Sequence, residues 1–130
     1  MKVHKVLVDT NALIYAVQKK RDISEDLERY LGAFELIVLK AVKEELEKQA
    51  ERAKKLKRTR SPAKIALKLL GNAKIVNYSV SGKSTDDLIL EYAKDRDCIV
   101  LTNDRGLKER LERAHVKVIP PAVFLRKQYA

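Results

Sequence analysis

An α/β fold in three layers (α/β/α), built on a mostly parallel five-stranded sheet, is what this sequence predicts. Three observations lead there. Five short apolar runs recur along the chain, charged amphipathic stretches separate them, and the runs are apolar nearly throughout instead of alternating. Runs of that kind read as strands buried on both faces, and strands that alternate with helices pair in parallel.

The strand runs are Val3 to Val8, Leu36 to Leu39, Lys74 to Tyr78, Cys98 to Thr102 and Val116 to Ile119. The first stops at Asp9-Thr10-Asn11, and Pro120-Pro121 closes the last. Helices are predicted over Ile23 to Leu31, Lys40 to Lys57, Pro62 to Leu70, Thr85 to Lys94 and Arg105 to Ala114. Ser61 before Pro62 reads as an N-cap followed by the first helical residue. Ser84 with Asp87 three residues on reads as a capping box. The four glycines form no linker and no repeat is present, so one domain over residues 1–130 is expected.

Composition narrows the function. The chain has 130 residues, with 28 Lys or Arg against 18 Asp or Glu, a net charge of +10. Surplus positive charge suits a polyanionic partner such as nucleic acid. An apolar share of 45% excludes a disordered chain, and the single Cys98 excludes a disulfide scaffold. No apolar run approaches the roughly 20 residues that span a bilayer. The opening MKVHKVLVDTNALIY carries no small-residue cleavage site. A cytoplasmic protein without a membrane segment is the expectation.

In a parallel sheet the strands deliver their C-terminal ends to one edge, where ligands bind. Four of the five strand ends here lead to carboxylates: Asp9, Glu44-Glu45, Asp86-Asp87 and Asp104. Residues 84 to 104 hold six acids and two bases, so the acidity is local in a basic chain. Crowded carboxylates repel each other unless they take up protons or a cation. Oxygen donors with no Cys or His nearby suit hard ions such as Mg²⁺ or Mn²⁺, which serve phosphodiester hydrolysis. Structural roles compete for some of these acids. Asp87 is a capping-box partner, Asp104 can cap a helix, and at least one of Glu44 and Glu45 faces solvent. Asp9, directly after Val-Leu-Val, has no evident structural duty.

These residues resemble those of the PIN-domain ribonucleases. The family's signatures are an Asp-Thr-Asn after the first strand, a Glu-Leu in the next helical region, an acidic motif opening a later helix and a T-x-D after the fourth strand. Here they read V8-D9-T10-N11, V42-K43-E44-E45-L46, D86-D87-L88-I89 and L101-T102-N103-D104. The resemblance runs from residue 3 to about residue 120. It implies a PIN-like fold, a metal-binding catalytic quartet of Asp9, Glu45, Asp86 and Asp104, and supporting roles for Asn11, Thr102 and Asp87. It also implies Mg²⁺- or Mn²⁺-dependent endoribonuclease chemistry on single-stranded or loop RNA, leaving a 5′-phosphate and a 3′-hydroxyl. Two branches are compatible: ribosomal-RNA-processing nucleases, favoured here by STDDLILEYA and the basic LRKQYA ending, and toxins of toxin–antitoxin pairs. The protein partner would be a ribosome-assembly factor in the first case and an antitoxin in the second, and a homodimer fits either.

Residues 52 to 68 carry eight Lys or Arg and no acid. A helix C-terminus favours cations, which explains part of this run. The functional reading is a phosphate-tracking surface beside the acidic pocket, with Arg58, Arg60 and Lys64 as RNA-binding residues. Tyr15, Tyr30 and Tyr92 fall in helical patterns and read as core. Gly82-Lys83-Ser84 before a helix is a P-loop decoy, because Asn77 stands where a full P-loop needs its first glycine. A receiver-like phosphoacceptor is excluded by Thr10-Asn11 after Asp9 and by Tyr78-Ser79 after the third strand. A non-catalytic RNA-binding module would have no need to sustain carboxylate repulsion.

Overall fold

A computed structural model describes residues 2–58 and 61–127. The first half comprises β1 (His4–Val8), α1 (Thr10–Gln18), α2 (Ile23–Leu31), β2 (Phe34–Leu39), α3 (Lys40–Lys55) and α4 (Pro62–Lys68). After a 3₁₀ turn (Leu69–Asn72) follow β3 (Lys74–Val76), α5 (Thr85–Arg96), β4 (Ile99–Leu101), α6 (Arg105–Arg113), β5 (Val118–Ile119) and α7 (Ala122–Lys127). The sheet order is β3-β2-β1-β4-β5, and every neighbouring pair is parallel. The predicted five-stranded α/β architecture is thus the one found.

Helices α1, α3 and α4 pack on one another, and α5 packs on α6. Right-handed crossovers place these two groups on opposite faces of the sheet. The apolar runs fill the middle layer: Val6, Leu7, Val8, Val38, Leu39, Val100 and Leu101 are fully buried. From β1 the chain moves outward through β2 to β3, then returns to lay β4 on the other side of β1. The gap beyond the C-terminal ends of β1 and β4 is therefore the topological switch point, where such folds bind ligands. Among the described residues no helix is long and apolar enough to cross a membrane.

Several boundaries differ from expectation for physical reasons. Helix α3 stops at Lys55, two residues early, because Lys57 adopts a left-handed conformation (φ 56°). Helix α4 gives way to the 3₁₀ turn at Leu69, while α5 runs on to Arg96 and ends at a left-handed Asp97. Strand β2 starts at Phe34, two residues early. Strand β3 spans only Lys74–Val76 and is not buried on both faces: it is an edge strand, and Ile75 is 40% exposed. Helices α1 and α7 are additional elements. Helix α1 follows β1 without a loop, and its buried Ala12, Leu13 and Ala16 prolong the apolar run of the strand.

Candidate active site

Each predicted acid is placed by an element end. Asp9 is the N-cap of α1, so the residue without an evident structural duty has one. Its Oδ1 accepts from the Thr10 amide at 2.7 Å, and its Oδ2 accepts from the Thr102 hydroxyl at 2.8 Å. Asp104 is the N-cap of α6, its Oδ1 accepting from the Leu107 amide at 3.0 Å. Asp86 lies in the first turn of α5, whose Ser84–Asp87 capping box forms as predicted. Three helix N-termini (α1, α5 and α6) therefore carry these three acids, and their partial positive charge favours carboxylates there.

Glu45 comes from the second turn of α3. Its Oε1 accepts a hydrogen bond from the Thr10 hydroxyl at 3.1 Å, whereas Glu44 is exposed. Asp9, Glu45, Asp86 and Asp104 line one open cleft of about 540 Å³, together with Thr10, Asn11, Ile14, Tyr15, Gln18, Gln49 and Asn103. All four members of the predicted quartet are thus brought together.

Of the supporting residues, Thr102 and Asp87 take the places expected of them, and Asn11 does not. Thr102, fully buried, orients Asp9 and accepts from the Asp104 amide at 3.1 Å, so one hydroxyl ties two acids together. Among the described residues Asn11 bonds no carboxylate. Its Oδ1 accepts from the Asn103 amide at 3.1 Å and lies 3.3 Å from the Thr102 hydroxyl, which fixes the loop after β4. Asp87 points away from the cleft into an ion pair with Arg110 at 2.6 Å.

The electrostatics mark the cleft as short of positive charge. Asp9 is 5% exposed, and its pKa is raised to about 6, mainly by burial. The Thr102 and Thr10 hydrogen bonds work against that rise, and the charges of Asp86 and Glu45 add to it. Burial also raises Asp86, helped by Asp104 and opposed by Arg110. Asp87 is held low by its bonds to Arg110 and Ser84. No protein hydrogen bond reaches the Asp86 carboxylate among the described residues. The donors facing the cleft are hard oxygens, as Mg²⁺ or Mn²⁺ prefers. No three acids, histidines or cysteines are drawn together as a formed metal site among the described residues. A divalent ion would offset the repulsion of the four carboxylates that line the cleft.

Residues 6–127 match the PIN like domain family. The chain belongs to that family. Ribonuclease VapC4 of Methanocaldococcus jannaschii is 35% identical over 128 residues, covering 97% of this chain and 94% of the relative. The rRNA-processing protein FCF1 of Saccharomyces cerevisiae is 33% identical over 114 residues, which are 85% of this chain and 55% of the yeast protein. Among solved structures, the PIN domain endonuclease Utp24 superposes with a TM-score of 0.69 at 28% identity, over 82% of this chain and 76% of that one.

The structure of this PIN-like domain also shows cleft residues that the sequence reading passed over. Thr10 was visible only as part of a motif, yet its hydroxyl holds Glu45. Gln49 follows Glu45 by four residues on one face of α3, a spacing that could have found it. Tyr15 and Gln18 follow Asn11 at four and seven residues and share a face of α1 once that helix is known. Tyr15 therefore lines the cleft instead of the core, and Lys19 Nζ stands 5.9 Å from its ring centre. Tyr30 is 38% exposed and meets Phe124 edge-on, so of the three tyrosines assigned to the core only Tyr92 lies there. In the P-loop decoy, the Ser84 hydroxyl accepts from the Asp87 amide at 3.2 Å and caps α5. Arg60 lies outside the described residues.

Proposed function

We propose that this PIN-like domain is a Mg²⁺- or Mn²⁺-dependent endoribonuclease. The observation that carries the reading is Asp9: a buried carboxylate that enters no ion pair among the described residues, in one cleft with Glu45, Asp86 and Asp104. These four would hold the ion. When bound, it supplies neutralisation of phosphate charge and a water that ionises near neutral pH. The chain's own contribution is positional. Thr102 and the Thr10 amide fix both oxygens of Asp9, and the Thr10 hydroxyl fixes Glu45. The open cleft admits an RNA strand, and cations outside it, Arg58 and Lys64 among them, supply the affinity that an acidic pocket cannot.

The role we favour is ribosomal-RNA processing or RNA turnover, supported by the likeness to FCF1 and Utp24. The toxin role is supported by VapC4, which matches over nearly the full length of both chains. The partner would be an assembly factor or an antitoxin accordingly. Asp9→Asn should abolish Mn²⁺-dependent RNA cleavage while circular dichroism stays native. Undiminished cleavage would refute the assignment. Induction of the wild-type protein in a bacterial host separates the roles: growth arrest that Asp9→Asn relieves would favour the toxin.

A further inference from the structure

The acidic cleft is one end of a longer groove. At its α1–α3 side, Ile14, Gln18 and Gln49 are shared with a second cavity of about 480 Å³, which adds Arg52, Arg58 and Ser61. Arg58 and Ser61 in turn belong to a third cavity of about 580 Å³ between α3 and α4, which adds Lys54, Lys57 and Lys64. The lining changes from carboxylates, through two neutral glutamines, to a wall where five cations outnumber Glu47 and Glu51. Along α3 the way from Glu45 to Lys55 is about 15 Å, at 1.5 Å per residue.

Two details give this groove a direction. Arg52, Lys54, Lys57, Arg58 and Lys64 enter no ion pair among the described residues, although Glu47 and Glu51 line the same cavity. On the α5–α6 side Arg110 is paired with Asp87 and Lys83 with Glu91, while Lys94, Lys108 and Arg113 enter no ion pair among the described residues, so the direction comes from the cavities that join the cleft to the α3–α4 cations. Cations left unpaired along a cavity wall are available to phosphates, while those already paired are not.

We infer that a single RNA strand is held to one side of the cut, running from the acidic cleft over Gln18 and Gln49 into the α3–α4 groove. Arg52, Arg58 and Lys64 contact its phosphates in turn. This deepens the nuclease reading and rests on it. The substrate is then a strand that extends beyond the scissile phosphate on the groove side by about four nucleotides or more, the low end of single-strand site sizes. A dinucleotide-sized substrate gains nothing from the groove.

The test compares two triple variants of the full chain by fluorescence anisotropy with labelled single-stranded RNA, in chelator so that nothing is cut. One is Arg52→Ala/Arg58→Ala/Lys64→Ala. The other removes the same charge from exposed positions elsewhere, Lys94→Ala/Arg113→Ala/Lys117→Ala. For a strand of about twelve nucleotides, the groove triple should lose about tenfold or more in affinity, and its salt slope should fall by about 2, at roughly 0.7 per phosphate contact. The charge-matched triple should lose far less. Wild-type affinity should rise with RNA length, and that rise should be absent from the groove triple. Equal losses in both triples, or the same length dependence, would overturn the path. A groove triple that cleaves with unchanged KM removes the path and leaves the nuclease reading intact. Groove-specific binding without any cleavage by the wild type keeps the path and removes the nuclease reading.

Discussion

Two aspartates lie equally deep in this protein and differ in company. Asp26, 7% exposed at the start of α2, is bonded by the Arg21 guanidinium, whose Nε stands 3.1 Å from Oδ2. Asp9, 5% exposed at the start of α1, is bonded by one hydroxyl and one amide and, among the described residues, by no cation. A buried charge is tolerable when it is paired and costly when it is not. Asp26 is therefore complete within the fold. On the proposed function a divalent ion would complete Asp9, and that difference would separate a structural carboxylate from a working one.

The contrast can be broken most sharply by activity. Asp9→Asn should cost about a hundredfold or more in Mn²⁺-dependent cleavage, whereas Asp26→Asn should leave the rate unchanged. Equal losses would mean that Asp9 acts only through stability. Next comes the ion itself. Manganese at about one hundred times its Kd should stabilise the wild type by about 2.7 kcal/mol. It should do the same for Asp26→Asn and little for Asp9→Asn, read as the shift in thermal midpoint after chelator is replaced by Mn²⁺. An undiminished shift in Asp9→Asn would place the ion elsewhere.

Stability without metal should move the two variants in opposite directions. Asp26→Asn removes the buried carboxylate that bonds the Arg21 guanidinium and should lose about 2 kcal/mol in urea unfolding. Asp9→Asn relieves a buried charge and should gain about 1–2 kcal/mol at pH 7 in chelator. The gain should depend on pH. The folded pKa of Asp9 is about 6, above the ordinary 3.8, so between these values the folded protein holds a proton that the unfolded chain has shed. Stability from Asp9 is therefore full below pH 3.8, is lost as pH rises towards 6, and stays level above that. The advantage of the Asn variant should be absent at the acid end and open across this window. A gap independent of pH would assign the effect to packing.

The sheet was legible because its strands are apolar on both faces, and the shared cleft of Asp9, Glu45, Asp86 and Asp104 because these acids follow the strands in order. What was not legible depends on contacts between distant parts of the chain. Thr102 bonds Asp9 across 93 residues, and Thr10 bonds Glu45 across 35. Neither threonine carries a local signal of its partner. Helix α1 was hidden by its own cap: Asp9 drew attention as chemistry, and the apolar Ala12-Leu13 prolongs a strand-like run. The burial of β3 was overestimated because Ile75-Val76 resembles a buried β-branched strand, whereas the charged Lys74 and Ile75 both face solvent.

Asp9 and Asp104 each start a helix as well as line the cleft, so the proposed chemistry and the architecture share the same two residues. Alanine at either position would unfasten the first turn of α1 or α6, at about 1 kcal/mol for a lost cap, along with any effect on the site. Asparagine or serine keeps the turn. A descendant that gave up cutting but kept its shape would therefore be expected to carry Asn or Ser at positions 9 and 104, and drift to Ala would show first as a frayed helix.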